Sequence, residues 1–193
     1  YNVLQLRLHP SFISVREKVR HAPPGKKYSI ELTYVVSRGN WYFASWKGDV
    51  NKSGGIGTNI GVHFFDVLMW IFGEVRHCEV HLADSRKMAG VLELEKAQVR
   101  WFLSVGREDL PPQAVREGRT TYRSITIDGE KFEFSEGFTD LHTEVYRQIL
   151  AERGFGIEEV RPSIDLVYKL RNSNPVRNDG SSAHPFLNHA VIS

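Results

Sequence analysis

Residues Trp41 to Gly73 read WYFASWKGDVNKSGGIGTNIGVHFFDVLMWIFG, a polar, glycine-rich loop running into an apolar segment that carries two polar residues one turn apart. From Ile56 to Phe72 the segment is too long for a strand, which seldom passes about eight residues, and its apolar density predicts a buried helix. Glycines at 54, 55, 57 and 61 open it and Gly73 closes it. Asn59 and His63 stand at i, i+4, so a helix projects both from one face, in line with Val67 and Trp70. A histidine beside Val62, Phe64 and Phe65 is commonly a hydrogen-bonded core residue. The preceding loop argues for a site instead. Trp46, Lys47, Asp49, Lys52, Ser53 and two adjacent glycines bring cations and bare amides to the helix start, where the dipole favours an anion such as phosphate or carboxylate.

Two neighbouring patterns mislead. Gly55-Ile-Gly57-Thr-Asn-Ile-Gly61 imitates a dinucleotide fingerprint, but its third glycine arrives one residue late and no apolar strand leads into it. His77-Cys-Glu-Val-His81 would put two histidines on one face of a strand. With a single cysteine and no third ligand at a telling spacing, a solvated or interface-facing pair is expected there, and no metal.

Outward from this stretch, Asn2 to Leu8 alternates as a strand and Ser11 to Arg20 has a helical apolar side. Tyr28 to Ser37 alternates strictly, as a half-buried antiparallel strand does. Asn40 to Ser45 reads as a short strand or extended segment leading into the loop. Val75 to Leu82, Lys87 to Leu94 and Val99 to Val105 are further strands, and Glu108 to Gly118 is a polar loop. Thr120 to Ile127 and Lys131 to Phe134 flank Asp128-Gly129, a strong hairpin signal. Helices are expected over Thr139 to Arg153 and Pro162 to Asn172, the second with proline in its first turn, and a tail or strap from Asn174 on. Hairpin-joined strands with helices between and after them define an α+β domain: one large, mostly antiparallel β-sheet with helices packed on one face. The other face is expected to mediate self-association into a homo-oligomer, a dimer or tetramer.

The 193 residues suffice for one domain with a core, or one domain and a fragment of another. A net charge of +2, with no basic cluster interleaved with aromatics, argues against nucleic acid as partner. The lone Cys78 rules out an internal disulfide framework and suits a reducing, cytoplasmic setting. No apolar run is expected to reach the roughly 18 residues that cross a bilayer, since His63 and Asp66 interrupt the longest, so no membrane is expected as partner. The chain opens on Tyr1 rather than methionine, which suggests a piece of something longer.

From LQLRLHP through RGNWYFASWKGD and KSGGIGTNIGVHFFD to VRPSIDLVYKL, the chain resembles the C-terminal half of the Gfo/Idh/MocA oxidoreductases. Within them it looks most like the sugar-nucleotide dehydrogenases of lipopolysaccharide and O-antigen synthesis that oxidise the 3-hydroxyl of UDP-N-acetylglucosaminuronic acid. The resemblance implies NAD as cofactor, bound mainly by a Rossmann domain that this sequence lacks. Residues 1–21 would be that domain's last strand and helix, 22–173 the substrate-binding and oligomerisation domain, and 174–193 the tail; alone the piece should not turn over. His63 falls on the family's active-site histidine. Asn59 falls where many relatives carry aspartate, so His63 has no acidic orienter from that position, and no Glu-Lys-Pro lysine occurs here. His63 is then the acid/base or hydroxyl anchor, with Asn59 and Thr58 as orienting contacts and Asn59 also placed to meet the cofactor. Arg38, Lys47 and Arg161 are candidates for the substrate's carboxylate and diphosphate. Trp46 is to lie against a sugar face or in the core. Two alternatives stay open: a non-catalytic sugar-nucleotide-binding or oligomerisation module, and a family dehydrogenase for another sugar or polyol.

Overall fold

The computed structural model describes residues 1–132, 134, 140–178, 180 and 182–189. The expected strand at 131–134, the helix from Thr139 and the tail therefore fall partly outside the described residues. Six strands form one sheet: β1 (Tyr28–Val36), β2 (Val75–Ala83), β3 (Lys87–Leu94), β4 (Ala97–Ser104), β5 (Thr121–Ile127) and β6 (Glu130–Phe132), in the spatial order β2-β3-β4-β1-β5-β6. Four neighbouring pairs are antiparallel, and β1 runs parallel to β4. A parallel pair needs a long crossover, and the crossover from Val36 to Ala97 contains the central helix. The β5–β6 hairpin turns on Asp128 and Gly129, both with positive φ (52° and 85°), as a two-residue hairpin requires.

The helices are α1 (Pro10–Arg20), α2 (Asn40–Ala44), α3 (Val50–Ser53), α4 (Val62–Phe72), α5 (Pro112–Arg116), α6 (Leu141–Leu150), α7 (Ile157–Arg171) and α8 (Pro185–His189), with a π-helical turn at Gly57–Gly61 leading into α4. α4 lies against the sheet because its apolar side meets the inward residues of β1 and β4. Phe65 sits edge-on to Trp101 at 5.2 Å, Phe64 lies 5.1 Å from Tyr34, and Phe72 lies 5.5 Å from Tyr28. Gly61 sets the closest approach: a Cβ there would stand 2.6 Å from Phe65 and 2.9 Å from Leu103. Val50–Phe72 is long and apolar enough by composition to cross a bilayer, contrary to expectation. In this fold it is the core helix, more than half buried, and it is broken at Gly54 and Gly55, whose φ of 77° and 79° no helix contains.

Several expectations need correction. Asn2 to Leu8 is not a strand; it makes one bridge, Asn2 to Phe155, and a 3₁₀ turn over Gln5–Leu8. Local alternation loses because Arg7, 7% exposed, is drawn inward to Asp66. Asn40 to Ala44 is helical rather than extended, which buries Tyr42 and leaves Trp41 outside. The polar loop holds α5, begun by Pro112 in its first turn. Helix α7 starts before Pro162, which lies in its interior; the true start is marked by Glu159, whose Oε2 accepts the Gly156 N–H at 2.8 Å.

Strand β1 is central, not half-exposed. Thr33 and Val35 are buried as well as Leu32 and Val36, because the chain after α7 returns across the second face of the sheet. The Val176 N–H donates to the Val80 carbonyl at 2.8 Å, His184 stacks on Phe102, and Phe186 and Leu187 close over Val35, Ala89, Phe102 and Leu110. The second face is thus partly covered by the chain's own strap. Its centre carries Glu31 ion-paired to Arg100 at 3.0 Å, so it is less apolar than expected.

Candidate active site

Where the π-helical turn enters α4, a cavity of about 280 Å³ opens between three walls. The helix and the turn before it supply Asn59, His63 and Phe64, the sheet supplies Tyr34 and Arg123 with Arg38 just past the end of β1, and the N-terminal turn supplies Gln5. The π turn widens the local repeat, a distortion that often marks functional sites, and it leaves both polar residues facing the same hollow. Asn59 Nδ2 donates to the Lys47 carbonyl at 3.3 Å, tying the Trp46–Lys47 loop down onto the helix. Beneath it, the buried Tyr42 hydroxyl lacks a well-aligned partner; burial raises its pKa, against the opposing pull of Arg38 and the Asn59 amide.

His63 is half-buried. Burial pushes its pKa below the ordinary histidine value, His142 adds to this, and the Asp66 charge opposes it. The imidazole is therefore neutral near pH 7 and able to accept a proton. Asp66, one turn further along α4, is engaged elsewhere: Arg7 donates Nε and Nη2 to its two oxygens at 2.8 Å each, and Ser163 Oγ donates at 2.6 Å. This buried cluster joins the N-terminal turn, α4 and α7. It borders a larger hollow of about 470 Å³ with Trp70 and Leu166, which none of the sequence-predicted site residues lines.

Of the residues singled out from sequence, the cavity brings together His63, Asn59 and Arg38. Lys47 sits beside it but contributes its carbonyl; its ammonium lies 5.9 Å from the Trp46 ring. Trp46 is 57% exposed, so the core placement does not hold. Thr58 turns back, its hydroxyl donating to the Gly54 carbonyl at 3.0 Å. Arg161 lies on the outer side of α7, doubly bonded to Glu158 at 2.8 and 3.0 Å, and does not line the cavity. Sequence reasoning missed Tyr34, Arg123 and Gln5. Only the β1–β5 register, which pairs Tyr34 with Arg123, places the first two together. The solitary Asp66 in an apolar run was a signal for the buried cluster.

The glycine run confirms its rejection as a dinucleotide motif: α3 precedes it, not a strand. His77 pairs with Glu79 at 2.9 Å in solvent, whereas the His81 side chain is 1% exposed beneath the strap, 3.2 Å from Asn178. Among the described residues, no three His, Cys, Asp or Glu side chains are grouped to hold a metal.

The open sheet with the histidine-bearing helix against it has the architecture of the C-terminal α/β domain known from one family of oxidoreductases. Residues 25–107 match the family described as "Oxidoreductase family, C-terminal alpha/beta domain", GFO_IDH_MocA_C. The chain is 50% identical to the WlbA (WbpB) dehydrogenase from Thermus thermophilus in complex with NAD and alpha-ketoglutarate, over 96% of this chain and 60% of that one, with a TM-score of 0.91. Against the same dehydrogenase with NAD and UDP-GlcNAcA the identity is 49%, over 96% of this chain and 59% of that one, with a TM-score of 0.90. The WlbA dehydrogenase from Bordetella pertussis shares the fold at 19% identity, over 92% of this chain and 63% of that one, with a TM-score of 0.66. The chain belongs to the Gfo/Idh/MocA oxidoreductase family. It spans about 60% of the length of the Thermus relative.

Proposed function

We propose that this chain is the substrate-side domain of an NAD-dependent dehydrogenase that oxidises the 3-hydroxyl of a UDP-GlcNAcA-like sugar nucleotide, in the cytoplasm and for lipopolysaccharide synthesis. The supporting observation is the cavity: a neutral imidazole and an amide face two guanidinium groups across one sugar-sized space, in a chain half identical to a dehydrogenase solved with NAD and UDP-GlcNAcA. The two ligands found with NAD in the Thermus enzyme, alpha-ketoglutarate and UDP-GlcNAcA, both carry carboxylates, and the first carries no phosphate.

In this role His63 accepts the proton of the reacting hydroxyl, its lowered pKa keeping it in the acceptor form at neutral pH. Asn59 holds the substrate hydroxyl or the edge of the cofactor, and its bond to the Lys47 carbonyl fixes where the amide points. The described residues form no cradle for a dinucleotide, since the glycine run follows a helix and lies on the core helix itself. NAD, which takes the hydride, is accordingly assigned to a nucleotide-binding domain outside these residues. The uncovered part of the second sheet face, around Glu31 and Arg100, is the surface assigned to self-association.

The test is turnover of UDP-GlcNAcA with NAD by the intact gene product. Replacing His63 with Ala or Asn should lower kcat by roughly 10²–10⁴-fold, the range of a general base, with the fold unchanged by circular dichroism. Wild-type turnover in either variant would remove His63 from the chemistry.

A further inference from the structure

Behind the Asn59 side chain, a ring of hydrogen bonds closes on itself but for one link. Ser45 Oγ donates to the Tyr42 carbonyl at 2.8 Å and accepts the Lys47 N–H at 3.3 Å. The Lys47 carbonyl accepts from Asn59 Nδ2, also at 3.3 Å. The Asn59 amide then meets the Tyr42 hydroxyl, out of line for a full bond, and this is the open link. Tyr42 is 3% exposed and its hydroxyl is shut off from solvent, whereas a buried phenol normally finds an acceptor.

The two ends of that link are not equally mobile. The Tyr42 ring stands edge-on to Trp41 and Phe43, with ring centres 6.0 and 5.4 Å away. The loop is pressed onto α2 as well: a Cβ at Gly48 would lie 2.6 Å from the Phe43 Cα and 2.7 Å from the Tyr42 carbonyl oxygen. Asn59 is half-buried in the cavity wall, so the amide is the member that turns.

Resting on the function proposed above, we infer that Tyr42 is a positioning residue: its hydroxyl donates to Asn59 Oδ1 while the Lys47 carbonyl holds one amide N–H, which aims the other N–H at the substrate. An amide suits this place because it donates and accepts at once. A carboxylate would set negative charge against the Lys47 carbonyl. Fixed on both sides, Asn59 presents a donor next to the His63 imidazole, which is an acceptor. One sugar hydroxyl satisfies both, giving its hydrogen to His63 and accepting the Asn59 N–H. Its oxygen gathers negative charge as the proton passes to His63, so a donor held on it counts most at that moment.

The experiment is steady-state turnover of UDP-GlcNAcA with NAD by the intact gene product, as wild type, Tyr42→Phe, Asn59→Ala and the double variant, with a thermal melt of each. Tyr42→Phe should lower kcat about tenfold and keep KM within about threefold. Its Tm should stay within about 3 °C of wild type or rise, because the ring remains and the lost hydroxyl had no full partner. In the Asn59→Ala background the same change should cost less than about twofold, since the group it steers is gone.

Wild-type kcat in Tyr42→Phe overturns the positioning role and leaves the dehydrogenase reading standing. So does an equal loss in both backgrounds, which would show Tyr42 acting without Asn59. A Tm lowered by more than about 3 °C, or a Tyr42→Phe variant that does not fold, would show a hydroxyl bonded for stability alone and overturns the role too. Absence of turnover by the wild-type protein overturns the sugar-nucleotide reading together with the role.

Discussion

Replacing Asp66 with Ala should destabilise this domain by about 3 kcal/mol, at the lower end of the roughly 3–5 kcal/mol that follows when one partner of a buried ion pair is removed. The value comes from what would be left behind. Asp66 is 2% exposed and accepts three hydrogen bonds, two from Arg7 and one from Ser163. Without it Arg7 keeps the Glu159 carbonyl at 3.1 Å and the half-exposed Glu159 carboxylate at 3.5 Å, so its charge is not wholly abandoned. That residual pairing, and water entering from the adjacent 470 Å³ hollow, offset part of the loss. Asp66→Asn, which still offers one acceptor oxygen, should cost roughly half as much. The double change Arg7→Met with Asp66→Leu removes both charges and should cost less than Asp66→Ala alone, since no buried charge is stranded.

Urea unfolding is the assay. With an m-value of about 2 kcal/mol/M, 3 kcal/mol moves the midpoint by roughly 1.5 M at unchanged slope. A second readout is independent of stability. The Asp66 charge opposes the burial that lowers the His63 pKa, so Asp66→Asn should lower the His63 titration further, as followed by its imidazole NMR signals. A midpoint shift below about 0.3 M, or a double variant less stable than Asp66→Ala, would refute the assignment of this cluster as the tie between the N-terminal turn, α4 and α7.

Other outcomes follow from local geometry. Gly61→Ala should destabilise by about 1–3 kcal/mol, because the new methyl would overlap Phe65 and Leu103, outweighing alanine's helix preference; a rise in Tm would show that α4 does not lie this close to β4. His184, buried against Phe102 with Arg100 nearby, has its pKa lowered to about 3. The unfolded chain binds this proton near pH 6.5 and the folded chain does not, so the contribution is complete above about pH 6.5 and is lost progressively as pH falls toward about 3. Protease cleavage of the strap should therefore accelerate on acidification through this window, and His184→Gln should flatten that dependence; an unchanged profile in the variant would exclude His184 as the group. Trp46→Ala, at an exposed position, should change Tm by less than about 2 °C, and a larger loss would mean that the loop is structural.

Local signals in the sequence were enough for the elements whose residues answer mainly to their neighbours. β3 and the Asp128-Gly129 hairpin are where alternation and turn chemistry put them, because strand period and positive φ are properties of a few adjacent residues. Asn59 and His63 share a face for the same reason: a helical repeat settles it without knowledge of the rest of the chain. The first turn defied its pattern, since a guanidinium drawn in by a distant carboxylate outweighs a weak strand preference.

What the folded structure alone decided depends on partners far apart in the chain. Strand β1 is parallel to β4 and is covered on its second face by residues more than 140 positions later, which turns a seemingly half-exposed strand into a central one. Arg123 enters the cavity only through its register with Tyr34, and Arg161 is left outside it on the far side of α7. Whether an arginine faces a ligand or water depends on strand order and helix rotation, which arise from the summed burial of the whole core and leave no mark on the residues beside it.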